Sequence, residues 1–318
     1  MLREHSRTQN KLKQDLGKFI LSALSDDEIY EVLLNPDGVL WVDGYKGKRE
    51  YGTMSPDAAK NLINTVASVA DEVVTHKSPS FSGELLVEIN EEFKLFRFQA
   101  FIPPVVTSPA FAIRKRAGHV IPLQDYVRDE IISPQQEKII KGSVEQRKSI
   151  LVVGGTQSGK TTFCNSILDC IAQTHPQDRV IIIEDTQELK CGVKDSVTMR
   201  ASPAKTMNDL IFDSMRIRPD RIIIGEVRGK EAHSLIKAWN TGHPGGVSTI
   251  HANSAQSGLL RLEQLIQEAG VVPVPEAIAE AVNLLVFIQK SNKGKKGRQV
   301  TSVLRLMGYD KKDGYITQ

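Results

Sequence analysis

The sequence is poor in the features that mark several classes of protein. Its three cysteines, Cys164, Cys170 and Cys191, have neither metal-ligand spacing nor the even number of a disulfide framework. A reduced compartment and buried thiols are therefore expected. No apolar run reaches the roughly 18 residues that a membrane-spanning helix needs. The opening Met1-Leu-Arg-Glu-His-Ser-Arg lacks the apolar core of a secretory signal, so the chain is expected in the cytoplasm. An excess of one charge is missing too, since 41 Lys and Arg against 38 Asp and Glu leave a net charge of only +3. With no stripe that mixes basic and aromatic residues, direct nucleic-acid binding is not expected. Internal repeats and low-complexity segments are also lacking.

The basic residues that are present are unevenly placed. The first twenty positions hold Arg3, Arg7, Lys11, Lys13 and Lys18 against two acids. A second group, Lys290, Lys293, Lys295, Lys296 and Arg298, lies between two strand-like runs, Asn283-Leu-Leu-Val-Phe-Ile and Val300-Thr-Ser-Val-Leu-Arg-Leu. This spacing predicts an exposed hairpin tip, and the residues between its cations supply no acid. Two readings stay open for both groups: a solvated face, or contact with a membrane surface or a partner.

The 318 residues suffice for two domains, with a boundary expected near residue 125. Residues 1–125 read as a smaller α+β domain. Leu12, Leu16, Phe19 and Ile20 recur at helical spacing within Asn10 to Leu24, and Ala58 to Val74 reads as a second helix. Val39-Leu-Trp-Val, flanked by turn signals, reads as a strand, as do Glu84-Leu-Leu-Val-Glu-Ile and Lys94-Leu-Phe-Arg-Phe-Gln-Ala-Phe. In the last of these, Phe96, Phe98, Ala100 and Ile102 share one face, with Arg97 and Gln99 on the other. Residues 126–318 have a different rhythm. Apolar runs at Ile150, Val180, Arg221 and Val247 alternate with helical stretches, the pattern of an α/β domain with a mainly parallel sheet covered on both faces.

The first of those runs leads into Gly154-Gly-Thr-Gln-Ser-Gly159-Lys160-Thr161, which matches G-x-x-x-x-G-K-[ST]. A strand before it and a helix after it are the context a phosphate loop requires. The peptide N–H groups of Gly154, Gly155, Thr156, Gln157, Ser158 and Gly159, the residues Lys160, Thr161 and Thr162, and the dipole of the following helix would bind a polyphosphate. Lys160 would reach the outer phosphates, and the Thr161 hydroxyl would serve Mg²⁺.

Acids follow two of the other apolar runs, where open α/β sheets present their binding crevice. The first set is Glu184, Asp185 and Glu188 in Ile183-Glu-Asp-Thr-Gln-Glu-Leu. The second is Glu226 in Ile222-Ile-Ile-Gly-Glu-Val-Arg228-Gly. Glu184 and Asp185 are candidate metal ligands beside Thr161, and Glu226 and Glu188 are candidates for orienting water. Capping or a surface cluster is the plainer reading of the first set. Arg216-Ile-Arg218-Pro-Asp-Arg221 either places guanidiniums near phosphate or a neighbouring subunit, or is solvated. His243 and His251 stand at the two ends of a Gly-rich turn and short strand, as structural hydrogen-bonders or as sensors of bound nucleotide.

These motifs, in this order, resemble the RecA-like secretion ATPases, the family of conjugation, type IV secretion, type II secretion and type IV pilus motors. Arg218-Pro-Asp-Arg-Ile-Ile-Ile-Gly-Glu-Val-Arg-Gly and Ala238-Trp-Asn-Thr-Gly-His-Pro-Gly-Gly are similar to the conjugation and type IV secretion branch. The cysteine-rich insert usual in the type II branch is lacking, and Gln157 stands where the family often has Gly. The resemblance implies an ATP hydrolase that uses Mg²⁺ and works as a homo-hexameric ring, with nucleotide held between the two domains. It implies inner-membrane secretion-channel proteins as partners, and a place at the cytoplasmic face of the inner membrane. It also implies arginines that reach the phosphates from outside the core domain. Arg97 and Arg114 match best, ahead of Arg116.

Overall fold

The computed structural model describes residues 2–44, 46–115, 120–202, 204–291 and 296–318, with side chains from Arg7 onward. It forms two compact units, Met1–Gly118 and His119–Gln318.

The first unit comprises α1 (Leu2–Ser25), β1 (Ile29–Leu34), β2 (Val39–Gly44), β3 (Arg49–Thr53), α2 (Pro56–Val69), β4 (Ser80–Ile89), β5 (Glu92–Phe101) and β6 (Ala110–Lys115). Its strands pair antiparallel in the order β3-β2-β1-β6-β5-β4. Leu12, Leu16 and Ile20 of α1, with Leu62, Ile63 and Val66 of α2, pack on Val32, Leu85, Phe98 and Ile113 of the sheet. In β5, Phe96, Phe98 and Ala100 are buried while Arg97 and Gln99 are half-buried, as period-2 alternation on a one-sided core demands. The chain in α1 breaks at Gly17 (φ 68°). Helix α2 stops at Val69, short of the expected Val74. Asp71 turns left-handed (φ 57°), and Glu72 N–H bonds back to Ala67 O at 2.9 Å, leaving Val73 exposed.

The second unit comprises α3 (Leu123–Arg128), α4 (Pro134–Glu145), β7 (Ile150–Val153), α5 (Lys160–Thr174), β8 (Val180–Glu184), β9 (Ser196–Arg200), α6 (Met207–Ser214), β10 (Arg221–Val227), α7 (Glu231–Asn240), β11 (Val247–Ile250), α8 (Ala255–Glu268), α9 (Pro275–Ala281), β12 (Leu284–Lys290), β13 (Arg298–Asp310) and β14 (Gly314–Thr317). The sheet order is β14-β13-β12-β7-β11-β10-β8-β9. The six strands from β12 to β9 are parallel, and β13 and β14 add an antiparallel edge, so the sheet is mixed. Every residue of β7, β8 and β11 is buried. Alternate residues serve opposite layers: Leu151, Ile181 and Ile222 join the core under α6 to α9, while Val152, Ile182 and Ile223 join the core under α3 to α5. Burying each such side chain contributes about 1.5–3 kcal/mol, which is why these strands are runs of Val and Ile without alternation.

Candidate functional site

Parallel strands β7, β11, β10 and β8 send their C-terminal ends to one edge of the sheet, and the candidate residues gather there. After Val153 the chain turns through residues 154–159 into α5, with Gln157 at φ 58° and Gly159 at φ 98°. A side chain at Gly159 would be strained in that conformation, so glycine is required where the loop closes onto the helix. Thr156 and Gln157 are exposed, Gly155, Thr161 and Thr162 half-buried, and Gly154 and Ser158 buried.

Lys160 opens α5 and is only 7% exposed. Its ammonium donates to Gly155 O at 2.9 Å and lies 3.2 Å from His251 Nδ1. The ammonium is also 3.4 Å from His251 Nε2, which lies 2.6 Å from Glu226 Oε1. Arg228 Nε donates to Glu226 Oε2 at 2.6 Å, and its Nη2 contacts the same oxygen. A chain of groups thus runs from Lys160 through His251 and Glu226 to Arg228. Burial, then the Lys160 charge, push the His251 pKa below its ordinary value, although Glu226 pulls the other way. This favours the neutral ring, which can accept from the ammonium.

Glu184 ends β8 and is buried. Its Oε1 accepts from the N–H groups of Glu188 and Leu189, both at 3.0 Å, so it fixes the turn that carries Glu188. The close approach of β10 makes room for this carboxylate. A Cβ on Gly225 would lie 2.9 Å from Glu184 Cγ and 3.2 Å from its Oε1, which excludes larger residues there. Asp185 is exposed and Glu188 half-buried. Asn165 on α5 completes the turn, donating to Glu188 O at 3.2 Å and accepting from Lys190 N–H at 2.8 Å. No local pattern in the sequence singles out Asn165, whose partners lie 23 and 25 residues away.

The hydroxyl of Thr161 and the carboxylates of Asp185, Glu188 and Glu226 are hard oxygen donors of the kind Mg²⁺ takes together with water and phosphate oxygens. Among the described residues no cluster of three His, Cys, Asp or Glu forms a metal cage. The donor set suits a cation that arrives with a polyphosphate.

Other candidates lie elsewhere. His243 precedes β11, at the opposite end of that strand from His251, and its Nδ1 donates to Ala238 O at 3.2 Å, closing the last turn of α7. Arg221 does not reach toward the phosphate loop. It begins β10, at the end of the strand opposite Glu226, and is fully buried. Its Nε donates to Asp178 Oδ2 at 2.7 Å and its Nη1 to Gly245 O at 2.9 Å, and Asp178 is shared with Arg147. Arg216 and Arg218 are exposed.

In the first unit Arg97 and Arg114 are direct cross-strand partners on β5 and β6. Glu84 on β4 stands opposite Arg97, and Glu31 on β1 stands opposite Arg114, with Asp43 on β2 next in line. Burial pushes the Glu31 carboxyl up, while Arg114 pulls it down and Asp43 raises it further. Arg116, Lys293, Lys295 and the Arg3 side chain lie outside the described residues. Two of the described cations of the hairpin between β12 and β13 find partners elsewhere in the unit: Lys296 Nζ pairs with Asp129 Oδ2 at 2.8 Å, and Lys290 bonds to Gln157. The Asp129 carboxyl, hydrogen-bonded by Lys296, is held below its ordinary pKa. Cys164 and Cys170 are buried as expected and Cys191 is half-buried; burial raises the pKa of all three thiols, with Glu184 adding to the effect at Cys164.

A family model described as Type II/IV secretion system protein matches residues 49–305. The chain is 43% identical over 305 residues to the Probable conjugal transfer protein TrbB of Sinorhizobium fredii, covering 96% of this chain and 92% of that one. It is also 43% identical over 309 residues to the Conjugal transfer protein TrbB of Rhizobium radiobacter, covering 97% and 93%. The fold is similar to the X-ray structure of the ATPase DotB of Legionella pneumophila, with a TM-score of 0.65 at 18% identity over 89% of this chain and 78% of that one. The matched stretch takes in every residue of the cluster around Lys160, and the chain belongs to the type II/IV secretion system protein family.

Proposed function

We propose that the chain is the ATP-hydrolysing motor of a conjugative or type IV secretion machine, working as a homo-hexamer. Its partners are inner-membrane channel proteins, and its place is the cytoplasmic face of the inner membrane. No helix among the described residues is long and apolar enough to cross a membrane, so attachment would be peripheral. One juxtaposition carries the reading: Lys160 at the start of α5 sits within reach of His251, whose ring meets Glu226 at the same sheet edge. Relatives named for conjugal transfer support the biological setting.

In this mechanism the peptide N–H groups from Gly154 to Thr162 and the N-terminus of α5 take the phosphates. Lys160 exchanges Gly155 O and His251 for phosphate oxygens and stabilises the charge that develops as water attacks in line. Glu226, or Glu188 on the turn fixed by Glu184, orients that water. Thr161 with Glu184 or Asp185 would hold Mg²⁺, which would supply charge neutralisation at the phosphates. His251 then reports to Glu226 whether Lys160 is occupied, and Arg97 and Arg114 add positive charge in the transition state. His243 has no direct part.

Phosphate release from gel-filtered protein tests the reading together with oligomer size. Wild type should turn over ATP as a hexamer, and Lys160→Ala should lose about a hundredfold or more with its circular dichroism unchanged. Wild-type turnover in folded Lys160→Ala would overturn the assignment. Glu226→Gln should bind ATP and hydrolyse it slowly. Loss of ATP binding instead would make Glu226 a metal or structural residue and pass the water to Glu188.

A further inference from the structure

The hairpin of β12 and β13 carries two cations that this mechanism does not use. β12 runs parallel to β7 with Phe287 opposite Val153, so its last residues travel beside the phosphate loop. The β12–β13 ladder closes with Lys290 opposite Arg298. Both side chains lie on the loop. Lys290 Nζ donates to Gln157 Oε1 at 3.1 Å. A Cβ built on Gly159 would lie 3.2 Å from both Cδ and Nη1 of Arg298, so the guanidinium rests on a loop residue that has no side chain to displace it.

Like charges directly opposite on a ladder repel, and the neutral amide of Gln157 does not cancel the Lys290 charge. An incoming polyanion would. We propose that Arg298, with Lys290 beside it, is a further phosphate-binding group of this site, adding its charge to that of Lys160 when a nucleoside di- or triphosphate binds. The planar guanidinium offers paired donors to phosphate oxygens, and half-burial against the loop limits the freedom it loses on binding. Lys296, paired with Asp129, anchors the turn of the same hairpin to the segment that follows α3. The inference rests on the nucleotide-binding reading above.

Calorimetric titration of the full chain with ADP, and separately with inorganic pyrophosphate, tests it at low and high salt. Arg298→Ala should weaken both ligands about tenfold and flatten the salt dependence, with Arg298→Lys intermediate. Wild-type affinity for both ligands in Arg298→Ala overturns the proposal. So does a loss confined to ADP, which would place Arg298 on the base or ribose. If Arg298→Ala lowers the melting temperature of the unliganded protein, Arg298→Lys decides. Recovered affinity supports a charge contact, and affinity as weak as in Arg298→Ala means that the arginine only props the loop. Failure of wild type to bind either ligand, with Lys160→Ala no different, would instead sink the nucleotide reading itself.

Discussion

The two sheets differ in what covers them, and the difference decides where each unit can place charge. In the first unit α1 and α2 pack on one face, and the register lays Glu84, Arg97, Arg114, Glu31 and Asp43 in a row across the other. In the second unit helices cover both faces, so β7, β8 and β11 have no face left for a charged side chain. Charge is pushed to the strand ends and divides there by role. At the C-terminal ends stand Lys160, His251 and Glu226, with the imidazole against both charged groups. At the N-terminal end of β10, Arg221 is locked into Asp178 and Gly245. Covering a sheet on both sides separates the charges of the candidate site from those of the Arg221 network by the length of a strand.

Breaking the structural ions should have the largest effect on stability. Arg221→Met removes a wholly buried guanidinium and leaves Asp178, itself only 4% exposed, with Arg147 as its remaining ion-pair partner. The expected loss is about 3 kcal/mol. Each unit holds one of the two tryptophans, Trp41 in the first and Trp239 in the second. Urea unfolding followed through Trp239 in a Trp41→Phe background would therefore report the second unit. A loss under about 1 kcal/mol would mean that the network is a surface-like ion pair, contrary to its burial.

Charges along the row of the first unit should matter to turnover more than to folding. Arg114→Ala is expected to lower turnover about tenfold while ADP affinity stays within about threefold, since the guanidinium matters most as γ-phosphate charge develops. Its effect on stability should be about 0.5 kcal/mol or less, because the side chain is exposed. Unchanged turnover and unchanged affinity for both nucleotides would remove Arg114 from the site. A large stability loss with normal turnover would make the row structural, and would erase the contrast with Arg221.

What could be read in the sequence follows from the same contrast. The buried parallel strands and the phosphate loop were legible because each is a local pattern: a run of Ile and Val, then glycines and Lys160 at fixed spacing. Strand β1 was missed because its pairing with β2 slips between Ile29 and Glu31, which spoils the alternation that marks a half-buried strand. The partners of Arg221 were hidden by distance, since Asp178 lies 43 residues away and Gly245 lies 24 away. The hairpin at 290–298 was legible as a hairpin. Its contact with Gln157 spans 133 residues and depends on β12 pairing beside β7, which no local pattern encodes. The pairing of Arg97 with Arg114 likewise required the register of β5 on β6.

The smallest expected effect sharpens the comparison through pH. Lys115, at the end of β6, is the first unit's counterpart to Arg221: a half-buried cation whose ammonium donates to a carbonyl, Asp26 O, at 2.5 Å. Burial pushes its pKa from 10.5 to about 8, against the pull of Asp27 and Asp26. A guanidinium keeps its charge in such a setting, whereas an ammonium gives up its proton. Below pH 8 both the folded and the unfolded chain hold the proton, and the burial cost is fully present. Between pH 8 and 10.5 the unfolded chain holds more protons than the folded one, so this group makes the first unit more stable as pH rises. Screening at a half-exposed side chain limits the gain to about 1 kcal/mol. Unfolding followed through Trp41 in a Trp239→Phe background, at pH 7.5 and 9.5, should show the parent gaining stability relative to Lys115→Met at the higher pH. Comparing the two chains cancels the other lysines and the tyrosines that titrate in the same window. A parent that gains nothing on Lys115→Met, or loses ground to it, would mean that Lys115 keeps its proton when folded, and that the first unit tolerates a buried cation as the second does.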